Sequence, residues 1–306
     1  MGSQVLDEVE EALKEARFKV SDRCDSKSSC FDVASRRDDI VILVRALNNL
    51  ACLSEKLSRE LKLVSKFLCA NPLIVSYRTA KRDMEDDAIY IRHDIPAVTP
   101  RTLEDAIRRN RYPLVEIRPG GFYVKLDGKA IRKKRLELGF SLSELASMVK
   151  VSKRTIYGYE MELTKASVEV AIRLESVLGI PIVLQISLFR SVKEDIEQRV
   201  DYEVNDEFSR LTLETFRKLG LQVAKTSQTP FDFVASTERG ESIIGKMLRE
   251  DEDEKETRIT ASVADVTKSR LLYMSRSRIS SKKNKIIHCE DLARIERLEQ
   301  LYAFLH

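Results

Sequence analysis

The rhythm of apolar and polar positions changes several times along the chain, and each change predicts an element. Residues 6–16 carry apolar positions at helical spacing among acidic ones, an amphipathic opening helix. Residues 30–47, CFDVASRRDDIVILVRAL, read as two short apolar strands joined by a polar turn. The run at 40–44 does not alternate, which predicts a strand buried on both faces of a sheet. Helical spacing follows over 47–70, then a strand at 72–76, a strand over 90–96 (YIRHDIP) and a helix. The stretch 114–126, LVEIRPGGFYVKL, alternates on both sides of Pro119-Gly120-Gly121 and predicts a hairpin.

Residues 128–181 then keep helical spacing throughout. A helix over 129–138 turns Ile131 and Leu138 inward and stops at Gly139, a residue able to take the left-handed conformation of a helix end. Ser141 and Glu144 make an S-x-x-E capping box that opens a short helix with Leu142, Leu145, Ala146 and Val149 on its apolar side. After a turn at Lys150-Val151, Ser152 caps a third helix, where Ile156 and Tyr159 point inward and Lys153, Arg154, Thr155 and Tyr157 stay outside. Small Ala146 lets the two helices cross closely and Val151 fills the space beneath the turn, as a helix-turn-helix requires. A helix over 167–178 carries Val168, Ala171, Ile172, Leu174, Val177 and Leu178 and ends at Gly179 and Pro181.

The flanks of this helical unit read as two copies of one α/β pattern. CFDVASRRDDIVILVRAL at 30–47 is matched by PFDFVASTERGESIIGKML at 230–248, and the preceding EALKEARFKV by ETFRKLGLQV. Downstream, the strand at 72–76 parallels 271–275, and 90–96 parallels 286–292. Between the helical unit and the second copy, the apolar run 182–189 fits either a dimer element or a segment buried in the chain. Residues 191–210 are charged and read as helix.

Charge alters this picture locally. The whole chain carries only +4, but residues 126–180 hold ten Lys/Arg against seven Asp/Glu, so attraction to nucleic acid must come from this patch. Among these, Arg132, Lys133 and Lys134 follow one another, while the acidic run at 250–256 balances them elsewhere. A serine-spaced basic run at 270–285, with Arg276, Arg278, Lys282, Lys283 and Lys285, reads as a solvated strand connection. No apolar run of membrane-spanning length and no signal-peptide core is present, which leads us to expect a cytoplasmic protein. Five cysteines without a C-x-x-C and three histidines predict reduced thiols and no metal or cofactor, with a Cys24–Cys30 redox switch as the alternative. His93-Asp94 and His288 with Glu290 have no nucleophile near them in sequence, and no catalysis is assigned to them.

Through I-R-x-x-R-x-x-x-G-x-S-x-x-E-L-A and V-S-x-x-T-I-x-x-Y-E, the helical unit resembles the phage-repressor and Cro-like helix-turn-helix family. That resemblance implies a buried structural pair of Arg135 with Glu160. It also implies base reading by Lys153 and Arg154 at the head of the recognition helix, with Arg154 able to bind guanine bidentately. Ser141, Thr155 and Tyr157 are expected at phosphates, and with Ser152, Lys129, Arg132, Lys133 and Lys165 they complete the expected DNA-contacting set. Two departures stand out: Leu142 where the family often has glutamine for the DNA backbone, and Gly158 where a side chain often reaches bases. The flanks resemble the restriction-endonuclease or archaeal-resolvase fold, whose metal site needs an Asp and then E-x-K on the next strand. Asp32 and Asp232 fit the first position, but the E-x-K positions read Leu43-Val44-Arg45 and Ile244-Gly245-Lys246, so the second carboxylate is missing twice. The whole order is similar to an archaeal family of HTH-type transcriptional regulators.

The expectation is therefore a multidomain α/β plus all-α chain: a central four- to five-helix repressor-like domain (126–181) between two similar restriction-endonuclease-like α/β domains (1–112 and 211–306), both inactive. A hairpin linker (113–125) and a linker or dimerisation segment (182–210) join them. The expected function is sequence-preferring binding of double-stranded DNA by the helix over 152–160, as a homodimer, with protein contacts through the flanks, no membrane role and no catalytic residue. The alternatives are a metal-dependent nuclease or resolvase targeted by the helix-turn-helix, its missing carboxylate supplied by Asp38, Asp39 or Glu241, and a DNA-tethered interaction scaffold.

Overall fold

The computed structural model describes residues 2–24, 29–189, 206–248, 254–276 and 286–305. Helix α1 (Gly2–Glu15) buries Val5, Leu6, Val9 and Leu13 along one face. Strands β1 (Lys19–Val20), β2 (Val33–Arg37) and β3 (Ile40–Asn49) form an antiparallel meander. The helical spacing read over 47–70 begins too early: β3 runs to Asn49, a 3₁₀ turn spans Leu50–Cys52, and helix α2 (Glu55–Phe67) starts after Ser54, whose hydroxyl accepts the Leu57 N–H. Strand β4 (Asn71–Arg78) lies parallel to β3.

The segment 90–96 is a hairpin and not one strand. Strands β5 (Ala88–Arg92) and β6 (Ile95–Val98) turn at His93-Asp94, both at positive φ (49° and 63°), the conformation a two-residue hairpin loop needs. Strand β6 pairs parallel with β4 and leads through the N-cap Thr99 into helix α3 (Pro100–Arg109). Strands β7 (Val115–Arg118) and β8 (Gly121–Leu126) follow as a hairpin, with β7 parallel to β5.

Four helices then form a small bundle on the C-terminal side of this α/β body: α4 (Gly128–Glu137), α5 (Leu142–Val149), α6 (Lys153–Glu160) and α7 (Val168–Leu178). Strand β9 (Ala166–Ser167) precedes α7 and β10 (Val183–Leu184) follows it, and both pair with β8. One sheet of order β1-β2-β3-β4-β6-β5-β7-β8-β10 thus runs from the α/β body into the bundle. Beyond β10, Ile186 and Leu188 are buried with α1 and α3 in the body's outer core, the Ile186 N–H bonds the Pro113 carbonyl, and Phe189 packs edge-on against Tyr112. Residues 182–189 are therefore committed within the chain.

The second sheet, β11 (Gln222–Lys225), β12 (Phe233–Ser236), β13 (Ser242–Leu248), β14 (Arg270–Ser275) and β15 (Ile286–His288), has the order β11-β12-β13-β14-β15. Helices α8 (Glu207–Lys218), α10 (Cys289–Leu292) and α11 (Leu298–Tyr302) cover its outer face, and α9 (Glu254–Thr267) its inner one. Its pairing, two antiparallel contacts and then two parallel ones, repeats β1-β2-β3-β4-β6. Register makes Val44 equivalent to Gly245 and Ala97 to Ile286, so the true counterpart of β15 is β6, and β5 is an insertion that the sequence likeness at 90–96 mistook for it. Most of the expected helix at 191–210, the first four residues of the acidic run and most of the basic run at 270–285 lie outside the described residues.

The inner faces of the two sheets share one hydrophobic core. Ala34, Leu43 and Ile74 from the first and Val234, Ile244 and Tyr273 from the second meet around Leu61 and Val64 of α2 and Val263 of α9. Helix α2 also packs on β12, and α9 on β2. The exchange is reciprocal: Ser242 donates to the Phe67 carbonyl at the end of α2 (2.5 Å), and Arg36 donates to the Thr267 carbonyl at the end of α9 (3.1 Å). The equivalent rings of Phe31 and Phe231 lie 6.4 Å apart across the seam, the contact expected at a local twofold axis. Fully buried Glu60 on α2 accepts the Ser227 and Gln228 N–H groups (2.6 and 2.5 Å) and the Ser227 hydroxyl (2.8 Å).

Glu60→Ala strips these three donors of their acceptor. Ser227 is exposed and Gln228 half-buried, so water can replace part of what is lost; hydrogen bonds to a charged group contribute about 1.5–3 kcal/mol, and urea unfolding should show a loss of about that size. Ser262→Ala, which removes only an exposed bond to the Asp22 N–H, should stay within about 0.5 kcal/mol of the parent.

Candidate nucleic-acid interface

The bundle is closed by Ile131, Leu145, Ala146, Val149, Ile156, Tyr159, Ala171, Leu174 and Leu178, each buried. Leu138 and Ile172, expected inside, are 41% and 58% exposed: Leu138 is the C-cap of α4 and Ile172 falls on the outer face of α7. Arg135 of α4 and Glu160 of α6 form a buried two-pronged pair, Nε to Oε1 at 2.5 Å and Nη2 to Oε2 at 3.1 Å, and Arg135 Nη1 also donates to the Phe140 carbonyl at 2.7 Å. Sequence reasoning missed Gly128: a Cβ there would lie 2.5 Å from the Tyr159 and Glu160 carbonyl oxygens, so only glycine lets α4 start against the end of α6.

The turn geometry follows from the caps. Ser141 Oγ accepts the Glu144 N–H (3.2 Å) while the Glu144 carboxylate accepts the Ser141 N–H (2.7 Å), and that backbone bond holds the Glu144 carboxyl below its ordinary range. Lys150 takes the left-handed conformation (φ 58°) that ends α5, and Ser152 Oγ accepts the Thr155 N–H (3.0 Å) to open α6. The outer face then presents Ser141, Ser152, Lys153, Arg154 and Tyr157, all exposed, with Thr155 half-buried and hydroxyl-bonded to Ser152. Lys129, Arg132 and Lys133 are exposed on α4, and among the described residues none of these three, nor Lys153 or Arg154, makes an ion pair.

Lys165, Gly158 and Leu142 are less exposed than these. Lys165 is bonded to the buried carboxylate of Glu116 on β7, which Arg118 also holds from its other oxygen. Gly158 is buried, and a Cβ there would come within 3.2 Å of Oγ1 of Thr164, an exposed residue of the loop that leaves α6, so a side chain at 158 would crowd that loop. Leu142 is half-buried on the same core.

The strand ends of the two α/β bodies are built alike but filled differently. Asp32 Oδ2 accepts the Ala46 N–H (2.6 Å) and Asp232 Oδ2 the Met247 N–H (2.8 Å), at equivalent positions. In the first body Arg45 Nη1 bonds Asp32 Oδ1 at 2.6 Å; burial nevertheless pushes the Asp32 carboxyl up, against the opposing pull of Arg45 and the Ala46 N–H. In the second, buried Lys246 reaches Glu256 of α9 at 2.9 Å. Asp38 and Asp39 belong to the turn at the far end of β2, some six residues or about 20 Å from Asp32, and Glu241 occupies the matching turn before β13. None of the three can complete a site at Asp32 or Asp232. The family of folds implies Mg²⁺, which needs several oxygen ligands. One carboxylate neutralised by a guanidinium does not fit that ion, and among the described residues no group of three or more His, Cys, Asp or Glu is placed to hold a metal. Cys24 and Cys30 are buried, and burial pushes the Cys30 thiol well up. Among the described residues no helix is long and apolar enough to cross a membrane.

Residues 2–113 match the model of the PD-(D/E)XK superfamily domain, and residues 131–185 match a helix-turn-helix model. An Archaeoglobus fulgidus protein named "putative HTH-type transcriptional regulatory protein" is 31% identical over 94% of this chain and 91% of its own length. A Methanosarcina acetivorans protein of the same name is 30% identical over 98% and 95%. One from Methanocaldococcus jannaschii is 36% identical over 76% and 71%. Among solved structures, a chain of a SinR protein/SinI protein complex is 26% identical, covering 29% of this chain and 78% of its own, with a TM-score of 0.17.

Arg135→Ala should cost about 3–5 kcal/mol in unfolding free energy, because Glu160 is left buried and alone, whereas Arg154→Ala should change stability by less than about 0.5 kcal/mol. Acid should act through Glu116. Burial alone would raise its carboxyl, but Lys165 and Arg118 outweigh burial and hold it below the ordinary range. Its stabilising contribution is thus fully present above the unfolded value of about 4.3 and is lost as pH falls through the lower folded value. Stability measured from pH 6 to pH 3 should fall more steeply for the parent than for Glu116→Gln.

Proposed function

Because this chain belongs to the archaeal family of HTH-type transcriptional regulatory proteins, we propose that it regulates by setting the N-terminus of α6 into the DNA major groove. The observation that carries this reading is the exposed pair Lys153-Arg154 at the Ser152-capped end of α6, with the helix held from behind by Arg135 and Glu160. Arg154 reads guanine bidentately, worth about 1–3 kcal/mol of discrimination, and Lys153 assists as a point charge. Lys129, Arg132, Lys133, Ser141, Ser152, Thr155 and Tyr157 hold phosphates, and Lys165 joins them from its seat on Glu116. Two copies of the chain place their α6 helices one DNA turn, ~34 Å, apart on a palindromic site. Work on chromosomal DNA implies a cytoplasmic protein.

The organisation we propose is a helix-turn-helix domain (126–181) between two related nuclease-like bodies (1–112 and 211–306), joined by the hairpin (113–125) and the segment 182–210. Neither body cuts DNA in this reading. The positions where E-x-K chemistry needs its carboxylate, Leu43 and Ile244, are fully buried in the core that the two bodies share, so the face that would bind metal is used to join them. The bodies then serve as a rigid platform and a protein-docking surface. One observation favours the nuclease alternative, the meeting of Asp232's strand, Lys246 and Glu256 in the second body.

Genomic fragments selected on the purified protein with Mg²⁺ present distinguish the two. We expect an enriched half-site that relaxes with Arg154→Ala, and uncut DNA. Fragments that are cut, with cutting lost on chelation and in Asp232→Ala, would make the second body a working nuclease.

A further inference from the structure

The end of the β7–β8 hairpin is exposed among the described residues. Arg118 pairs with Gly121 across a two-residue loop of Pro119 and Gly120, with Gly120 at φ 103°, and Arg118, Pro119, Gly120 and Phe122 are exposed. Among the described residues, and apart from its chain neighbours, the only atom within 4 Å of where a Cβ on Gly120 would stand is the Tyr123 hydroxyl oxygen, on the hairpin itself. The hairpin is nonetheless fixed against the loop that leaves α6. Strand β8 pairs with β9 at Tyr123–Ser167 and Val124–Ala166, six residues beyond the end of α6.

The two segments also share a charge. Glu116 is only 3% exposed and takes Arg118 Nε on Oε1 and Lys165 Nζ on Oε2. One carboxylate cannot neutralise two cations, so this junction carries a net positive charge on a surface where both bases remain partly exposed, Arg118 by 47% and Lys165 by 34%. The carboxylate also fixes their spacing: wherever Lys165 lies against DNA, Arg118 lies one carboxylate away.

We propose that the β7–β8 hairpin is a second DNA contact, in which Arg118 and the backbone of the Pro119–Gly120–Gly121 turn meet the phosphates next to the one Lys165 holds. This rests on the reading of α6 as the major-groove helix and extends it. Glycine at 120 and 121 lets the turn approach a sugar-phosphate backbone without a Cβ in the way, and the pairing of β8 with β9 keeps the tip in fixed register with α6. The contact adds affinity without base preference, because phosphates carry no sequence information.

The test uses the full chain and two 30-bp duplexes, one of mixed sequence and one carrying a half-site from the selection, titrated over a range of salt. Arg118→Ala should weaken binding to both duplexes alike, about threefold to tenfold, and lower the slope of log affinity against log salt by about 1. Arg118→Lys should restore that slope, and thermal unfolding should confirm that both variants fold. Arg154→Ala should instead erase the difference between the duplexes. An unchanged slope in Arg118→Ala while Arg154→Ala still loses preference would overturn the hairpin contact and leave the regulator reading standing. A loss that depends on protein concentration, with no change in slope, would assign the hairpin to a second protein chain and equally overturn it. Failure of Arg154→Ala to alter preference would remove the reading on which the hairpin contact rests.

Discussion

The helix-turn-helix bundle hangs on strand β8. It pairs with β7 on one side and with both β9 and β10 on the other, so helix α7 is held at its two ends by the same strand. The bundle consequently has no free linker to the α/β body, because β7 continues the body's sheet through β5. Backbone hydrogen bonds in such a ladder must break together for the bundle to turn. The orientation of α6 against the first α/β body is therefore set by the fold itself.

The joining of the two bodies has a chemical cost that explains their character. A nuclease site of this type must turn two carboxylates, one from each of two neighbouring strands, toward solvent and metal. Here the face of β3 and β13 that would do so carries Leu43 and Ile244, and it is closed by α2 and α9, each of which covers its own sheet and the neighbour's. Burying a leucine or isoleucine side chain contributes about 1.5–3 kcal/mol, whereas an ionised carboxylate in that seam would cost several. A shared core and an E-x-K site compete for the same surface, and in this chain the core has it. Arg45 completes the change by occupying Asp32 from the position of the lysine.

Much of this was legible in the residues. The helix-turn-helix could be read because its signals are local: Ser141 with Glu144, Ser152, Gly139 and Gly179 all act within one turn of a helix. Arg135 with Glu160 came only through family likeness, since a pair 25 residues apart leaves no periodic trace. The repeat between the flanks was visible in Phe-Asp at 31–32 and 231–232, but the inserted β5 misled the alignment at 90–96, where pattern cannot tell one strand from a tight hairpin. What the residues could not reveal were relations between segments distant in sequence. These include Glu60 on Ser227 and Gln228, Lys165 on Glu116, and the closeness of Gly128 to the end of α6.

The central claim is that α6 reads bases from the major groove with Arg154. Methylation interference on a selected duplex tests it most directly, since a methyl group on guanine N7 blocks the acceptor that a bidentate arginine requires and leaves the phosphates and the minor groove untouched. Methylation at one or two guanines within the site should abolish binding by the parent protein and have little further effect on Arg154→Ala. Binding that is indifferent to N7 methylation at every guanine would contradict it.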